Sequence, residues 1–181
     1  MKILGISGSL RTGSYNKAII LKAREFLPQN VEIAIHELNQ LPLYDDILAT
    51  ESPPESVLIF REAIAQSDGL LIASPEYNYS VTGVLKNALD WAATNTISNL
   101  LSDKTVAIMG ASRSVFGTAR AQLHLRQILH AANANVIRKP EVFIRRAQDL
   151  ITDNGAITDE KTISKIKELL DALISELSGI K

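Results

Sequence analysis

The chain has 181 residues, 46% of them hydrophobic and 22% charged, with 19 basic against 20 acidic side chains and a net charge of −1. That length suits one domain with a full core, and residues 1–181 are read as a single domain. The near-neutral charge gives no electrostatic basis for a nucleic-acid or anionic-membrane partner, and the lack of cysteine excludes disulfides, a thiol nucleophile and thiolate metal sites.

Ile3 to Ile6 is a short β-prone run that stops at Ser7-Gly8. From Tyr15 to Leu27, Ile19, Ala23 and Phe26 recur at helical spacing, and Pro28 closes the segment. Val31 to Ile35 alternates apolar and polar, as an outer strand does. Leu38 to Pro53 has no clear periodicity. It is long for a compact domain and too apolar for plain disorder, so it either packs at a subunit interface or borders a substrate pocket. Ser52-Pro53-Pro54-Glu55 reads as a helix start with Ser52 as N-cap, and Val57, Phe60 and Ile64 line one face of that helix.

Gly69 to Ala73 is almost wholly apolar, the mark of a central strand covered on both sides. Val84, Leu85, Ala88, Leu89 and Ala92 mark the next helix, Thr105 to Met109 another buried strand, and Ala121, Leu125, Ile128 and Ala132 a further helical face. A fifth strand is expected within Asn135 to Ile144, limited by Pro140. Ile163, Ile166, Leu170, Leu173 and Leu177 form the stripe of a last helix.

Strand and helix thus alternate about five times, which predicts an α/β three-layer sandwich: a five-stranded parallel sheet with helices on both faces. Five strands favour the order 2-1-3-4-5, with a ligand site at the carboxyl ends of the first and third strands. No stretch approaches the roughly 18 to 20 apolar residues of a bilayer span, and the apolar run after Lys2 is too short for a signal-peptide core. A cytoplasmic address is expected, with no membrane partner.

Two polar segments follow strands at that edge: Gly8-Ser9-Leu10-Arg11-Thr12-Gly13-Ser14-Tyr15-Asn16 and Ser74-Pro75-Glu76-Tyr77-Asn78-Tyr79. The first has G-x-x-x-x-G spacing, but Ser14 and Tyr15 stand where a triphosphate loop needs Lys and then Ser or Thr. A G-x-G-x-x-G dinucleotide turn is also absent. Ser9, Ser14 and Asn16 as donors, Arg11 as a bidentate cation and the free N–H groups of a helix start together suit a phosphate monoester. In the second segment Pro75 fixes the direction in which the chain leaves its strand, and the N–H groups that follow suit the polar edge of a heterocycle.

The three histidines offer no competing site. His124 and His130 lie six residues apart on one helix and do not share a face. Gly5-Ile6-Ser7-Gly8-Ser9 is not a nucleophile elbow, since Ser9 stands where the last Gly belongs. No metal site and no protein nucleophile is expected.

Gly8-Ser9-Leu10-Arg11 with Ser14 and Asn16, then Pro75-Glu76-Tyr77-Asn78 and Gly83-Val84-Leu85-Lys86-Asn87-Ala88-Leu89-Asp90-Trp91, resemble the NAD(P)H-dependent FMN reductases. The similarity is strongest to the soluble quinone, chromate and azo-dye reductases. It runs from about Lys2 to Glu141. The resemblance implies a flavodoxin-like fold and an FMN cofactor, with Ser9, Arg11, Ser14, Tyr15 and Asn16 around the phosphate. Pro75, Glu76, Tyr77, Asn78 and Ser112 would line the flavin ring. It also implies a homodimer through the helix Thr82 to Ala93. Trp91 would there be an interface anchor or, equally, a core residue of its own chain. Arg120 and Glu141 resemble residues that link dimers into a tetramer, which Leu123 puts in doubt.

The implied reaction is ping-pong: NAD(P)H gives hydride to flavin N5, leaves, and a quinone, flavin, chromate, azo or nitro acceptor takes the electrons. Backbone N–H groups of Glu76 to Asn78 would stabilise the reduced ring. The alternative is a non-enzymatic electron carrier or FMN-binding sensor. The choice between NADH and NADPH stays open, with Arg113, Arg145 and Arg146 as candidates for a 2′-phosphate contact.

Overall fold

The computed structural model describes residues 1–94 and 98–179. In chain order the elements are β1 (Lys2–Ser7), α1 (Tyr15–Arg24), β2 (Glu32–His36), α2 (Asp46–Glu51), α3 (Glu55–Ala65), β3 (Gly69–Ala73) and α4 (Gly83–Ala93). They continue with β4 (Thr105–Ala111), α5 (Ala119–Ala131), β5 (Asn135–Val136), β6 (Val142–Ile144), α6 (Ala147–Leu150) and α7 (Glu160–Leu177).

The sheet is parallel throughout, in the order β2-β1-β3-β4-β5, with β6 pairing the far end of β4. This is the flavodoxin-like sandwich. The expected fifth strand is two short pieces along β4, Asn135–Val136 and Val142–Ile144. Pro140 between them has no N–H to give a ladder, which is why one strand does not run through.

Successive strand side chains point to opposite faces, and this sorts the core into two layers. Ile3, Leu71, Ala107 and Met109 face α1 and α7, where they meet Ile19, Ala23, Ile166 and Leu170. Leu4, Ile6, Leu70, Ile72, Val106 and Ile108 face the other layer and meet Val57 and Phe60 of α3, Leu85 and Leu89 of α4, and Leu125 of α5.

The segment from Leu38 to Pro53 folds down on α4. Tyr44 N–H donates to Asn87 Oδ1 (2.7 Å), Asn87 Nδ2 donates to Pro42 O (2.7 Å), and Trp91 Nε1 donates to the same carbonyl (2.9 Å). Tyr44 also meets the Trp91 ring edge-on, with centroids 4.9 Å apart. Trp91 is 0% exposed within its own chain, so it is a core residue and not an interface anchor. The segment holds the short α2, capped by Asp45, whose carboxylate accepts from the Ile47 and Leu48 N–H groups.

Ser52 does not cap α3 as expected. It closes α2 instead, its N–H donating to Leu48 O, and α3 starts after Pro54 with no side-chain cap. Among the described residues no helix is long and apolar enough to cross a membrane.

Candidate functional site

Three loops leave the carboxyl ends of β1, β3 and β4 and pack edge to edge. Gly8 N–H donates to Ala73 O (2.8 Å), while Thr82 Oγ1 donates to Gly8 O (2.6 Å), so the backbone groups of Gly8 are engaged by the end of β3 and by the far end of the second loop. A Cβ on Gly8 would stand 2.9 Å from Ser74 Oγ. Gly110 is tighter still: a Cβ there would lie 2.8 Å from Thr118 Cβ and nearer yet to Thr118 Oγ1 and the Ser74 carbonyl. Missing side chains at two strand ends therefore let the loops close on one another.

In the first loop Gly13 turns at φ +70° and delivers Ser14 to the N-cap of α1. Ser14 Oγ accepts from Lys17 N–H (3.3 Å) and is 5% exposed. That bond leaves its hydroxyl proton for another acceptor. Ser9 is also buried, and its Oγ faces Arg11 N–H at 3.4 Å. The exposed Arg11 folds back over the loop: Nη2 donates to Gly13 O (3.1 Å), and the guanidinium lies 4.9 Å from the Tyr15 ring centroid.

Asn16 differs from the expectation of a side chain directed at ligand. Its amide is buried and bridges to the end of β4, with Nδ2 donating to Ala111 O (3.0 Å) and Oδ1 accepting from Ala111 N–H (2.9 Å). What it offers an anion is the backbone N–H of a first helical turn. No sequence spacing signals a tie between positions 95 residues apart.

The second loop is a two-residue hairpin. Tyr77 and Ser80 exchange both backbone bonds at 3.0 Å, and Asn78 (φ +48°) and Tyr79 (φ +69°) occupy its left-handed tip. Such turns favour Asn and Gly, so Tyr79 holds a strained backbone. The Arg120 guanidinium lies 3.7 Å from the Tyr79 ring centroid and covers it. Pro75 is buried where the loop begins.

Glu76 also has a role the sequence did not suggest. Its side chain is 5% exposed and sits on the N-terminus of α5, where Thr118 provides no side-chain cap. The carboxylate accepts from Arg120 N–H (3.0 Å), Ala121 N–H (3.1 Å) and Arg120 Nε (2.6 Å). A carboxylate is well placed at the positive end of a helix. Ser112 stands at the base of the third loop, its N–H donating to Ile144 O and its Oγ accepting from Ser114 N–H (3.2 Å).

The residues suggested as dimer links are paired within the chain, Arg120 with Glu76 and Glu141 with Lys139. The Lys139 hydrogen bond holds the Glu141 carboxyl below its ordinary range. His124 Nδ1 lies 3.0 Å from Ser80 Oγ. Among the described residues no cluster of three or more His, Cys, Asp or Glu side chains stands together.

The donor set fits a flavin mononucleotide. The first turn of α1 carries no acidic residue and presents hydroxyls and N–H groups beside a guanidinium, as a phosphate dianion requires. Around the same edge Leu10, Tyr77, Tyr79, Val115 and Phe116 leave large apolar surface exposed, suited to a flat ring.

Comparison with known proteins gives one consistent result. The family model described as NADPH-dependent FMN reductase matches residues 1–149. An NAD(P)H-dependent FMN reductase of Pseudomonas aeruginosa is 47% identical over 174 residues, covering 96% of this chain and 93% of that protein. An NAD(P)H:quinone oxidoreductase of Solanum tuberosum is 39% identical, covering 96% of this chain and 91% of its own. Among solved structures, a flavoenzyme NAD(P)H:(acceptor) oxidoreductase of Paracoccus denitrificans superposes with a TM-score of 0.89 at 31% identity, covering 98% of this chain and 97% of that one.

Proposed function

The chain belongs to the NADPH-dependent FMN reductase family and is an FMN-dependent NAD(P)H oxidoreductase, and from that premise we propose that it reduces quinones and similar flat, electron-poor small molecules at the edge formed by the three loops. Bound FMN supplies the redox chemistry, accepting hydride from NAD(P)H and passing electrons to a second substrate in a ping-pong cycle.

The protein's part is placement. The N–H groups of the first turn of α1 hold the phosphate, with the Ser9 and Ser14 hydroxyls as further donors. Arg11 exchanges its contact with the Gly13 carbonyl for the anion. Pro75 sets the course of the second loop beside the ring. Tyr77 N–H is engaged by Ser80, so among the N–H groups of residues 76–78 those of Glu76 and Asn78 are the ones that would be offered to the polar ring edge. Tyr77, with 52% of its surface exposed, and Phe116, with 57%, leave room for an aromatic acceptor.

The observation that carries this reading is the locking of the three loops at Gly8, Ser74 and Gly110, which fixes phosphate donors and ring walls on one edge. Leu43, Ile47, Leu58 and Ile59 remain exposed on segments that share one core layer, and a second copy of the chain is assigned to cover them. A reductase supplied by NAD(P)H works where that pool lies, and we assign it to the cytoplasm.

The test is an absorption spectrum of protein incubated with FMN and desalted, followed by anaerobic NADPH or NADH and then benzoquinone. Bleaching by a nicotinamide and recovery of colour with benzoquinone are expected. Retained flavin that neither nicotinamide bleaches would overturn the enzyme in favour of a carrier or sensor. Failure to bind FMN in an equilibrium titration would overturn the site.

A further inference from the structure

Arg120 is held more firmly than a surface arginine, yet its charge has no part in placing the flavin. Its backbone N–H is fixed on Glu76 at the start of α5. Its Nε donates to Glu76 Oε1 (2.6 Å), and Nη2 pairs with the same oxygen. Two rings pack against the guanidinium, with Cζ 3.7 Å from the Tyr79 centroid and 4.7 Å from that of Phe116. Tyr79 belongs to the hairpin after β3 and Phe116 to the loop after β4, so the cation stands between two of the loops at the candidate flavin site.

A guanidinium carries five N–H donors in a planar fork. Glu76 takes the edge made by Nε and Nη2, through one oxygen. The end-on edge, made by Nη1 and the outer hydrogen of Nη2, is left over, and among the described residues Nη1 has no acceptor. That edge is open. Gln122 Oε1 is the buried side-chain polar atom without a partner among the described residues, so the unpartnered Nη1 is not sealed inside the protein. Glu76 does not absorb the whole charge either, because its carboxylate also accepts from Arg120 and Ala121 N–H at the positive end of α5.

The neighbourhood of this fork is apolar and flat. Tyr79 and Phe116, with their chain neighbours Tyr77 and Val115, each leave more than half of their surface exposed. A rigid fork among exposed rings suits an aromatic group that bears a carboxylate. The ring packs on the aromatic side chains, and the two oxygens take parallel N–H bonds.

We propose that Arg120 is the acceptor-recognising cation of this enzyme, its end-on fork binding a carboxylate carried on a flat aromatic or quinonoid acceptor. The proposal rests on the oxidoreductase reading and names the acceptor class for its site. Arg120 exchanges no electron or proton. It binds the acceptor by its anionic end, and the Glu76 bonds keep the guanidinium from turning away, so little side-chain freedom is lost on binding.

The first measurement is calorimetry on FMN-loaded protein at low salt with two redox-inert probes, 2-naphthoate and the uncharged 2-naphthamide. The wild type is expected to bind the naphthoate about tenfold more tightly, the scale of a charge-assisted hydrogen bond. R120Q keeps a planar polar end without charge and loses that difference. R120K keeps the charge without the fork and retains part of it.

Turnover with NADPH then compares a benzoquinone bearing a propionate side chain with its methyl ester. The methylenes insulate the quinone from the carboxylate, so the two acceptors have nearly one reduction potential. In the wild type kcat/KM favours the acid about tenfold, chiefly through KM, and R120Q brings the ratio close to unity. A merely structural role, in which loss of Arg120 loosens Tyr79 and Phe116, lowers both acceptors alike and leaves the ratio untouched.

Equal wild-type affinity for the two probes, or an acid-to-ester ratio that survives in R120Q, overturns the proposal. Failure of both quinones to reoxidise the NADPH-reduced enzyme sinks the oxidoreductase reading instead, and the calorimetric comparison still reads Arg120 by itself.

Discussion

Glu76 and Arg120 join the second loop to the first turn of α5, through one carboxylate that accepts from both the backbone N–H and the side chain of the same arginine. The guanidinium then lies against Tyr79 at the strained hairpin tip and against Phe116 of the third loop, 4.7 Å from its centroid. One pair thus ties the loops following β3 and β4 to each other.

Replacing Glu76 by Gln removes the charge from a 5% exposed position where it meets two backbone donors and a guanidinium. A loss of about 1–3 kcal/mol is expected, seen as a lower midpoint in thermal or urea unfolding of the apoprotein. Arg120→Ala leaves the carboxylate its two backbone partners and costs less. The reverse ranking would show that the guanidinium, not the helix end, is what Glu76 serves.

Asn16→Ala leaves the N–H and C=O of buried Ala111 without their partner. The expected cost is about 2–4 kcal/mol, that of two unsatisfied buried groups. It appears in the apoprotein before any flavin is added. A variant of unchanged apoprotein stability but weakened FMN binding would instead make Asn16 a direct ligand.

Gly110→Ala drives a methyl into Thr118 and the Ser74 carbonyl, and backbone cannot step aside as a flexible side chain does. A loss of about 3 kcal/mol or more is expected, with poor FMN uptake. Gly8→Ala meets the Ser74 hydroxyl at 2.9 Å and is milder. The order of the two unfolding midpoints checks this.

His36 packs against Phe60 with the rings tilted by 45° and their centroids 4.9 Å apart, and burial depresses its pKa below the ordinary 6.5, against a smaller opposing effect of Glu37. The folded state therefore disfavours the imidazolium. This contribution is fully present above the unfolded value of about 6.5 and is lost as pH falls through the lower folded value. Urea midpoints measured from pH 7.5 down to 5 should decline less in His36→Gln than in the parent. Parallel profiles would remove His36 as a cause.

Much of the site was legible because its signals are local. Hydroxyls and Arg11 gathered at a helix start just after a strand, and Pro75 directing a loop out of a wholly apolar strand, follow from residue types at fixed offsets. Trp91 was ambiguous because a large apolar helix residue packs equally well on its own chain or on another, and only the return of Pro42 to its indole decided it. Ser52 misled because two caps stand side by side: Asp45 starts α2, and Ser52 ends it.

The sequence by itself determined the alternation of strand and helix and the family, since apolar period and loop chemistry are written along the chain. The sheet order was only the one that five strands favour until the pairing of β1 with both β2 and β3 decided it. The tertiary structure alone decided what Glu76, Asn16 and Arg145 face: α5, the end of β4, and a cleft shared with α7. Those partners lie 44, 95 and about 20 residues away, at distances set by how the strands are ordered in the sheet and not by any local spacing.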